Sequence, residues 1–120
     1  MIWLADAEVA LTETRASILA RIIYSNRALC DLERLADFFI GRNPPIPQMA
    51  LETLELIEEA VSILRRHPLI GRPMKSGLRE LVISRGRTGY LALYSFEAQQ
   101  NAILVPGVRH QREAGYVSDE

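Results

Sequence analysis

Residues 21 to 41 read R-I-I-Y-S-N-R-A-L-C-D-L-E-R-L-A-D-F-F-I-G, and the spacing of their apolar residues changes partway along. The first five, R-I-I-Y-S, are β-branched and aromatic, which favours a strand, and Ser25 and Asn26 can cap a helix that follows. From 27 to 40 the apolar residues recur every three or four positions, and Gly41 is a typical C-terminal stop. The stretch therefore predicts a strand that leads directly into an amphipathic helix.

A second helix is predicted to begin close to Pro47. The preceding segment, R-N-P-P-I-P, cannot lie inside a helix because proline lacks an amide hydrogen, but proline is well suited to a first helical turn. The predicted apolar line of this helix runs through Leu51, Leu54, Ile57, Val61 and Leu64. Because the connection is short, the two helices are expected to form an antiparallel hairpin.

The second half of the chain has the composition of a sheet. Residues 81 to 83 and 88 to 96 are rich in aliphatic and aromatic residues, and the turn Arg85-Gly86-Arg87 joins them. A third run, A-I-L-V, begins at residue 102. These runs predict a three-stranded antiparallel meander with one face against the helix hairpin, which is an α+β fold.

Length and composition indicate one domain. The chain has 120 residues, 48% of them hydrophobic and 24% charged, which is typical of a globular domain. We expect a domain at 20 to 120 preceded by an extension at 1 to 19, which is either a short helix or the result of a start codon assigned too far upstream.

The sequence predicts a cytoplasmic protein that needs no metal or other cofactor and no membrane partner. It contains no apolar run long enough to cross a bilayer, and acidic residues occupy the N-terminus where a signal peptide would be basic. The single cysteine, Cys30, excludes disulfides and cysteine metal sites within the chain and is best interpreted as a small packing residue.

Charge is distributed unevenly along the chain. Residues 1 to 60 hold 5 basic and 10 acidic side chains, whereas residues 61 to 120 hold 9 basic and 5 acidic ones. The two halves therefore carry −5 and +4, although the whole chain carries −1. A basic half of this kind can contact an anionic partner, but it can equally serve solubility alone.

Four stretches, in this order and spacing, resemble the RelE/ParE family of bacterial toxins from type II toxin-antitoxin systems. They are A-L-C-D-L-E-R-L-A-D-F at 28 to 38, H-P-L-I-G-R-P at 67 to 73, G-L-R-E-L-V-I at 77 to 83 with G-Y-L-A-L-Y at 89 to 94, and R-H-Q-R-E-A-G-Y at 109 to 116. The last stretch looks closest to ParE-like members. Two features depart from the family pattern: the extension at 1 to 19, and Pro106-Gly107, which implies a bulge or an edge position in the last strand.

The resemblance implies one of two activities. ParE-like members bind and inhibit DNA gyrase, whereas RelE-like members cut messenger RNA on the ribosome without a metal. If the chain cleaves RNA, His110 would act as base or acid, and Arg109 and Arg79 would stabilise the phosphate. The low isoelectric point of about 6.1 and the single lysine, Lys75, favour gyrase inhibition without catalysis. An inactive binding or adaptor domain of the same fold is a further alternative.

A toxin of this family also implies a cognate antitoxin that wraps the helix hairpin and the sheet. An acidic tail of that partner would meet the basic half of the chain. The residues predicted to bind the target or the antitoxin are Arg85, Arg87, Tyr90, Arg109, His110, Arg112 and Tyr116.

The same residues also have structural interpretations. His110 at a strand end is more often a hydrogen-bonded structural histidine, and Tyr90 and Tyr94 share one strand face that suits a core or an antitoxin contact. Gly71-Arg72-Pro73 is expected to be a turn with Arg72 near a helix C-terminus, and Arg79 is expected to face the basic surface. Residues 111 to 116 are predicted to be a mobile C-terminal segment.

Overall fold

The computed structural model describes residues 19–85 and 88–116, and this part of the chain forms two helices and one five-stranded sheet. The predicted α+β class is confirmed. The predicted extension at 1 to 19 lies outside the described residues except for Leu19, and the turn residues Gly86 and Arg87 lie outside them too. The elements, in chain order, are β1 (Arg21–Tyr24), α1 (Asn26–Ile40), α2 (Pro47–Ser62), β2 (Arg72–Pro73), β3 (Arg79–Arg85), β4 (Thr88–Glu97) and β5 (Ala102–His110).

The sheet is mixed, with the strand order β1-β5-β4-β3-β2. Strands β3, β4 and β5 form the predicted antiparallel meander. Strand β1 pairs in parallel with the first part of β5, from Arg21 opposite Ala102 to Tyr24 opposite Val105. Strand β2 was not predicted, because two residues are too few to show a periodicity, and it pairs with the start of β3.

Helix α1 begins and ends, and α2 begins, where local sequence chemistry predicts; α2 ends at Ser62, before the predicted Leu64. The Ser25 hydroxyl caps α1 by accepting the amide hydrogen of Ala28 at 3.0 Å, and the amide of Gly41 donates to Asp37 O at 2.8 Å. Helix α2 begins at Pro47. No helix in the described ranges is long and apolar enough to span a membrane.

The predicted apolar line of α2 is only partly correct. Ile57, Val61 and Leu64 are fully buried, but Leu51 is 51% exposed. Ala50 and Thr53 are buried instead, and they continue the same three- and four-residue spacing toward the N-terminus of the helix. Small side chains thus occupy the buried positions in its first two turns.

The core lies between the helix hairpin and one face of the sheet. Strand β4 contributes Tyr90, Ala92 and Tyr94, which share a face because the side-chain period of a strand is two. Each of these three residues is at most 5% exposed, so the core interpretation of Tyr90 and Tyr94 holds.

The Pro106-Gly107 pair lies at a β-bulge inside β5. Leu93 pairs with Gly107 and Ser95 with Leu104, so Val105 and Pro106 together lie opposite the single residue between Leu93 and Ser95. The predicted bulge is therefore present. The predicted edge position is present only locally, because β5 lies between β1 and β4 but its pairing with β1 ends at Val105, directly before the proline.

Substituting Gly71 tests how closely the loop before β2 approaches the core. The amide of Gly71 donates to the Tyr94 hydroxyl at 2.8 Å, and a Cβ added at Gly71 would lie 2.5 Å from Tyr94 Cε1. We expect Gly71→Ala to lower the free energy of unfolding by about 2–3 kcal/mol through overpacking. Tyr94→Phe, which removes only the hydroxyl, should cost about 1 kcal/mol. Urea denaturation measures both, and equal losses would contradict the close approach.

Candidate functional site

The side of β5 that β1 leaves open beyond the bulge is the feature around which the C-terminal stretch 109 to 116 is organised. Strand β1 ends at Tyr24, so β5 has no strand neighbour on that side after Val105. The amide of Gln111 donates to Gly89 O at 3.0 Å, and antiparallel pairing alternates. The backbone groups of Val108 and His110 therefore point away from β4, toward the side that β1 has left open.

Side chains take over the role of the missing strand. The Ser25 hydroxyl donates to Pro106 O at 3.1 Å, and the amide of Val108 donates to Asp31 Oδ2 at 2.9 Å. The amide of His110 donates to Glu113 Oε1 at 2.9 Å. Pro106 needs no acceptor because it has no amide hydrogen. Each of these backbone groups thus has a partner although no strand lies there.

Arg34 links the two carboxylates that satisfy this edge. Its Nη1 donates to Asp31 Oδ1 at 2.5 Å, and its Nη2 donates to the two carboxylate oxygens of Glu113 at 3.0 and 3.1 Å. Asp31 is fully buried, so its negative charge requires this compensation. Burial raises the pKa of Glu113, but the hydrogen bonds from the His110 amide and Arg34 outweigh it, and the net pKa lies below the ordinary value.

A second buried carboxylate, Glu80, holds the end of the C-terminal segment. The Tyr116 hydroxyl donates to Glu80 Oε2 at 2.6 Å, and Arg72 Nε donates to Glu80 Oε1 at 2.9 Å, with Arg72 Nη2 also in contact. Burial raises the pKa of Glu80, but the bonds from Tyr116 and Arg72 outweigh it and lower the net pKa. Burial and the Glu80 charge raise the pKa of Tyr116. Arg72 therefore serves β2 and Glu80, not a helix C-terminus as expected.

Arg109 connects the contacts around Glu113 with those around Glu80. Its guanidinium lies 5.1 Å from the centre of the Tyr116 ring, and its Nη1 donates to Glu113 O at 2.8 Å. The Tyr116 ring in turn lies against Gly107, where an added Cβ would be 3.1 Å from the ring. We call this set the C-terminal clamp; its members are Asp31, Arg34, Arg72, Glu80, Arg109, Glu113 and Tyr116.

The clamp corrects the prediction of a mobile C-terminal segment. Residues 111 to 116 are held at two points, by Glu113 on Arg34 and by Tyr116 on Glu80. Arg109 and His110 lie at the end of β5, as predicted. The R-H-Q-R-E-A-G-Y stretch is therefore first of all an architectural element.

His110 has a defined hydrogen-bonding role. Its Nδ1 accepts the amide hydrogen of Arg112 at 3.0 Å, and its ring lies edge-on to Tyr90 at 5.2 Å between centroids. With Nδ1 acting as acceptor, the neutral ring carries its proton on Nε2. In this form the half-exposed ring offers Nε2–H as a hydrogen-bond donor and has no free nitrogen lone pair that could act as a base.

Among the other predicted site residues that the structure describes, Tyr90 and Arg112 contact His110, whereas Arg79 lies elsewhere. Arg79 donates from Nη1 to Leu69 O at 3.1 Å and Gly71 O at 2.8 Å, so it holds the loop before β2. Tyr90 is 5% exposed and belongs to the core, which leaves its ring little surface for a partner. Arg112 is exposed. Arg87 and the side chain of Arg85 fall outside what the structure describes.

Sequence reasoning missed Asp31, Arg34 and Glu113 as site residues. The pair Asp31 and Arg34 is separated by three positions in a helical segment, which places both on one helix face and was a usable indication. No such indication exists in the sequence for Glu113, because its partner Arg34 is 79 positions away. Within residues 19–85 and 88–116 no group of three or more His, Cys, Asp or Glu is placed to hold a metal ion.

An apolar groove lies beside the helix hairpin, apart from the clamp. Its cavity volume is about 440 Å³. Its apolar lining comes from β1, α1 and α2, and its polar lining is acidic. The apolar residues are Tyr24, Leu29, Leu32, Ala36 and Leu54, and the acidic ones are Glu33, Asp37 and Glu58.

Comparison with known proteins gives matches over most of the chain. A family model described as ParE toxin of type II toxin-antitoxin system, parDE, matches residues 22–115. Toxin RelE3 of Caulobacter vibrioides is 30% identical over 87 residues, which span 72% of this chain and 89% of that protein.

Two solved structures share the fold. The chromosomal ParDE system from P. aeruginosa superposes with a TM-score of 0.64 at 21% identity, covering 78% of this chain and 97% of that one. The RelBE2 toxin-antitoxin complex from Mycobacterium tuberculosis gives 0.51 at 23% identity, covering 78% and 99%. Both matches support the architecture of helix hairpin and mixed sheet.

Replacing Asp31 tests whether its carboxylate stabilises the edge of β5 that β1 leaves unpaired. We expect Asp31→Ala to lower the free energy of unfolding by about 2–3 kcal/mol, because it leaves the buried Val108 amide without an acceptor. Glu33→Ala, two positions away and exposed, should change stability by less than about 0.5 kcal/mol. Chemical denaturation of both variants checks this, and similar losses would show that Asp31 is not specially placed.

The pKa values of Glu80 and Glu113 predict acid sensitivity. Both lie below the ordinary value of 4.5 in the folded chain, so the folded state binds fewer protons than the unfolded state in this range. Their contribution to stability is present above that value and is lost as the pH falls through the folded pKa values. We expect the free energy of unfolding, measured from about pH 6 down to about pH 3, to fall less steeply with pH in the double variant Glu80→Gln, Glu113→Gln than in the wild type. Parallel curves would contradict the assignment.

Proposed function

Because the chain belongs to the ParE toxin family of type II toxin-antitoxin systems, we propose that it arrests growth by binding and inhibiting DNA gyrase. We propose further that a cognate antitoxin neutralises it. The observation that carries the choice of target is the engagement of Arg109 and Arg79, the two cations predicted to stabilise the phosphate if the chain cleaved RNA. Arg109 donates to Glu113 O and lies on Tyr116, and Arg79 donates to two loop carbonyls.

The chemistry of RNA cleavage fits poorly with this arrangement. Cleavage requires a base that takes the proton of a 2′-hydroxyl and cations that stabilise the reacting phosphate. In the neutral tautomer of His110, Nδ1 already accepts a hydrogen bond and Nε2 carries the proton. The negative charge of Glu80 acts on Arg109 in the clamp and would repel a phosphate there. An inhibitor that binds a protein needs none of these groups free.

The net charge of the chain also favours gyrase inhibition over RNA cleavage. The chain carries a net charge of −1 and one lysine, Lys75, so its sequence-independent attraction to RNA is weak. Ribosome-dependent mRNA cleavage remains the second candidate, and the position of His110 favours it. The ring is half-exposed at the end of β5, two residues from the exposed Arg112.

The groove beside the helix hairpin is the proposed antitoxin site. Its apolar floor includes Leu29 and Leu54, and its acidic residues are Glu33, Asp37 and Glu58. This combination fits an amphipathic antitoxin segment that carries aliphatic residues on one side and basic residues beside them. The two superposed structures come from a ParDE system and a RelBE2 toxin-antitoxin complex, which supports an antitoxin partner.

Induced expression of His110→Ala separates the two mechanisms. We expect the variant to arrest growth as the wild type does, to raise a DNA-damage reporter, and to inhibit DNA supercoiling by purified gyrase. His67→Ala, the other histidine and an exposed one, is the matched control. Loss of arrest in His110→Ala alone, together with ribosome-dependent mRNA cleavage by the wild type, would overturn gyrase inhibition.

A further inference from the structure

The loop between α2 and β3 presents two large aliphatic side chains to solvent. Leu69 and Ile70 are consecutive in sequence, and each is 59% exposed. They belong to the H-P-L-I-G-R-P stretch, of which Arg72 takes part in the clamp, but Leu69 and Ile70 belong neither to the clamp nor to the hairpin groove. Single exposed aliphatic residues are ordinary, but two consecutive ones enlarge the apolar area that a partner could cover. We call Leu69 and Ile70 the apolar tip.

The backbone of the apolar tip is firmly held. The amide of Gly71 donates to the buried hydroxyl of Tyr94 at 2.8 Å, and Arg79 donates to the carbonyl oxygens of Leu69 and Gly71. Ile70 N also donates to His67 O at 3.2 Å, which closes the turn. The exposure of the two side chains therefore follows from anchored backbone geometry. A surface held in this way loses little conformational entropy on binding.

The surroundings of the tip are basic. No acidic residue occurs between Glu59 and Glu80, and Glu80 itself is buried and bonded within the clamp. Five basic residues occupy the same interval: Arg65, Arg66, Arg72, Lys75 and Arg79. Of these, Arg66 and Lys75 are exposed and lie within six positions of the tip without a role in the clamp. The tip is thus an apolar pair within a stretch of the chain whose exposed charges are positive.

We propose that the apolar tip, with Arg66 and Lys75, is the surface by which the toxin docks on its target protein, in an apolar pocket rimmed by carboxylates. The proposal rests on the proposed function insofar as the target is a protein. A nucleic acid is a poorer occupant, because residues 60 to 79 contain no Phe, Tyr or Trp on which a base could stack. The groove assigned to the antitoxin contains no residue of the tip.

The test compares two double variants that each replace two exposed aliphatic residues by serine. The tip variant is Leu69→Ser with Ile70→Ser, and the control is Ile40→Ser with Leu51→Ser, which are 49% and 51% exposed on the helix hairpin and do not line the groove. We expect the tip variant to bind purified DNA gyrase about tenfold more weakly or worse and to lose growth arrest, whereas the control keeps both. Circular dichroism and thermal midpoints establish that each variant is folded.

A charge reversal provides an independent second variant. Arg66→Glu with Lys75→Glu leaves the anchored backbone unchanged, and we expect it to weaken gyrase binding and arrest as well. Wild-type binding should weaken as salt rises, and this salt dependence should be reduced in the charge-reversed variant. Unchanged arrest in both tip variants would overturn the proposal.

The remaining outcomes separate this proposal from gyrase inhibition. If the wild type does not bind gyrase but its arrest still depends on the tip, gyrase fails as the target and the docking surface stands. If the wild type inhibits gyrase and the tip variants do so equally, the target stands and the docking surface fails. Tip-dependent binding to vesicles of phosphatidylglycerol and phosphatidylcholine, or loss of antitoxin copurification with arrest intact, would likewise overturn target docking.

Discussion

The buried carboxylate of Asp31 accepts the Val108 amide hydrogen at 2.9 Å, at the point where β5 has lost β1 as its neighbour. A strand edge buried under a helix without acceptors would leave polar backbone groups unsatisfied, which costs about 1–3 kcal/mol for each group. Asp31 avoids this cost for Val108, and Arg34 compensates the charge that Asp31 brings. Helix α1 can therefore lie beside β5 where a strand would otherwise be needed.

The same constraint accounts for the C-terminal stretch that looks catalytic in sequence. Arg34 also binds Glu113, whose carboxylate accepts the His110 amide hydrogen. Arg109 lies on the Tyr116 ring, and the Tyr116 hydroxyl donates to Glu80. The cations and proton donors of residues 109 to 116 lie close together because their hydrogen bonds hold this segment against the sheet. Charged groups consumed in such contacts are poor candidates for binding a phosphate, so the functional surfaces are better sought where side chains face solvent, in the hairpin groove and at the apolar tip.

Features encoded by neighbouring residues were predictable, and features encoded by distant contacts were not. Ser25 and Gly41 mark the ends of α1 through bonds within the same turn, so the helix could be placed from sequence. The Pro106-Gly107 pair likewise indicated a bulge. In contrast, the clamp depends on bonds such as Arg34 to Glu113 and Tyr116 to Glu80, which join residues 79 and 36 positions apart. The spacing of neighbouring residues does not indicate such pairs, so the sequence alone predicts a mobile segment at 111 to 116.

Amide hydrogen exchange at Val108 and His110 tests most directly whether side chains replace a strand at this edge. The account predicts that both amides exchange slowly, at rates comparable to amides bonded within the β4–β5 ladder, because both donate to carboxylates under cover of α1 and the clamp. Protection of His110 should fall in Glu113→Gln, while that of Val108 should remain. Exchange of both amides as fast as that of the exposed turn residue Ala114 would contradict the account.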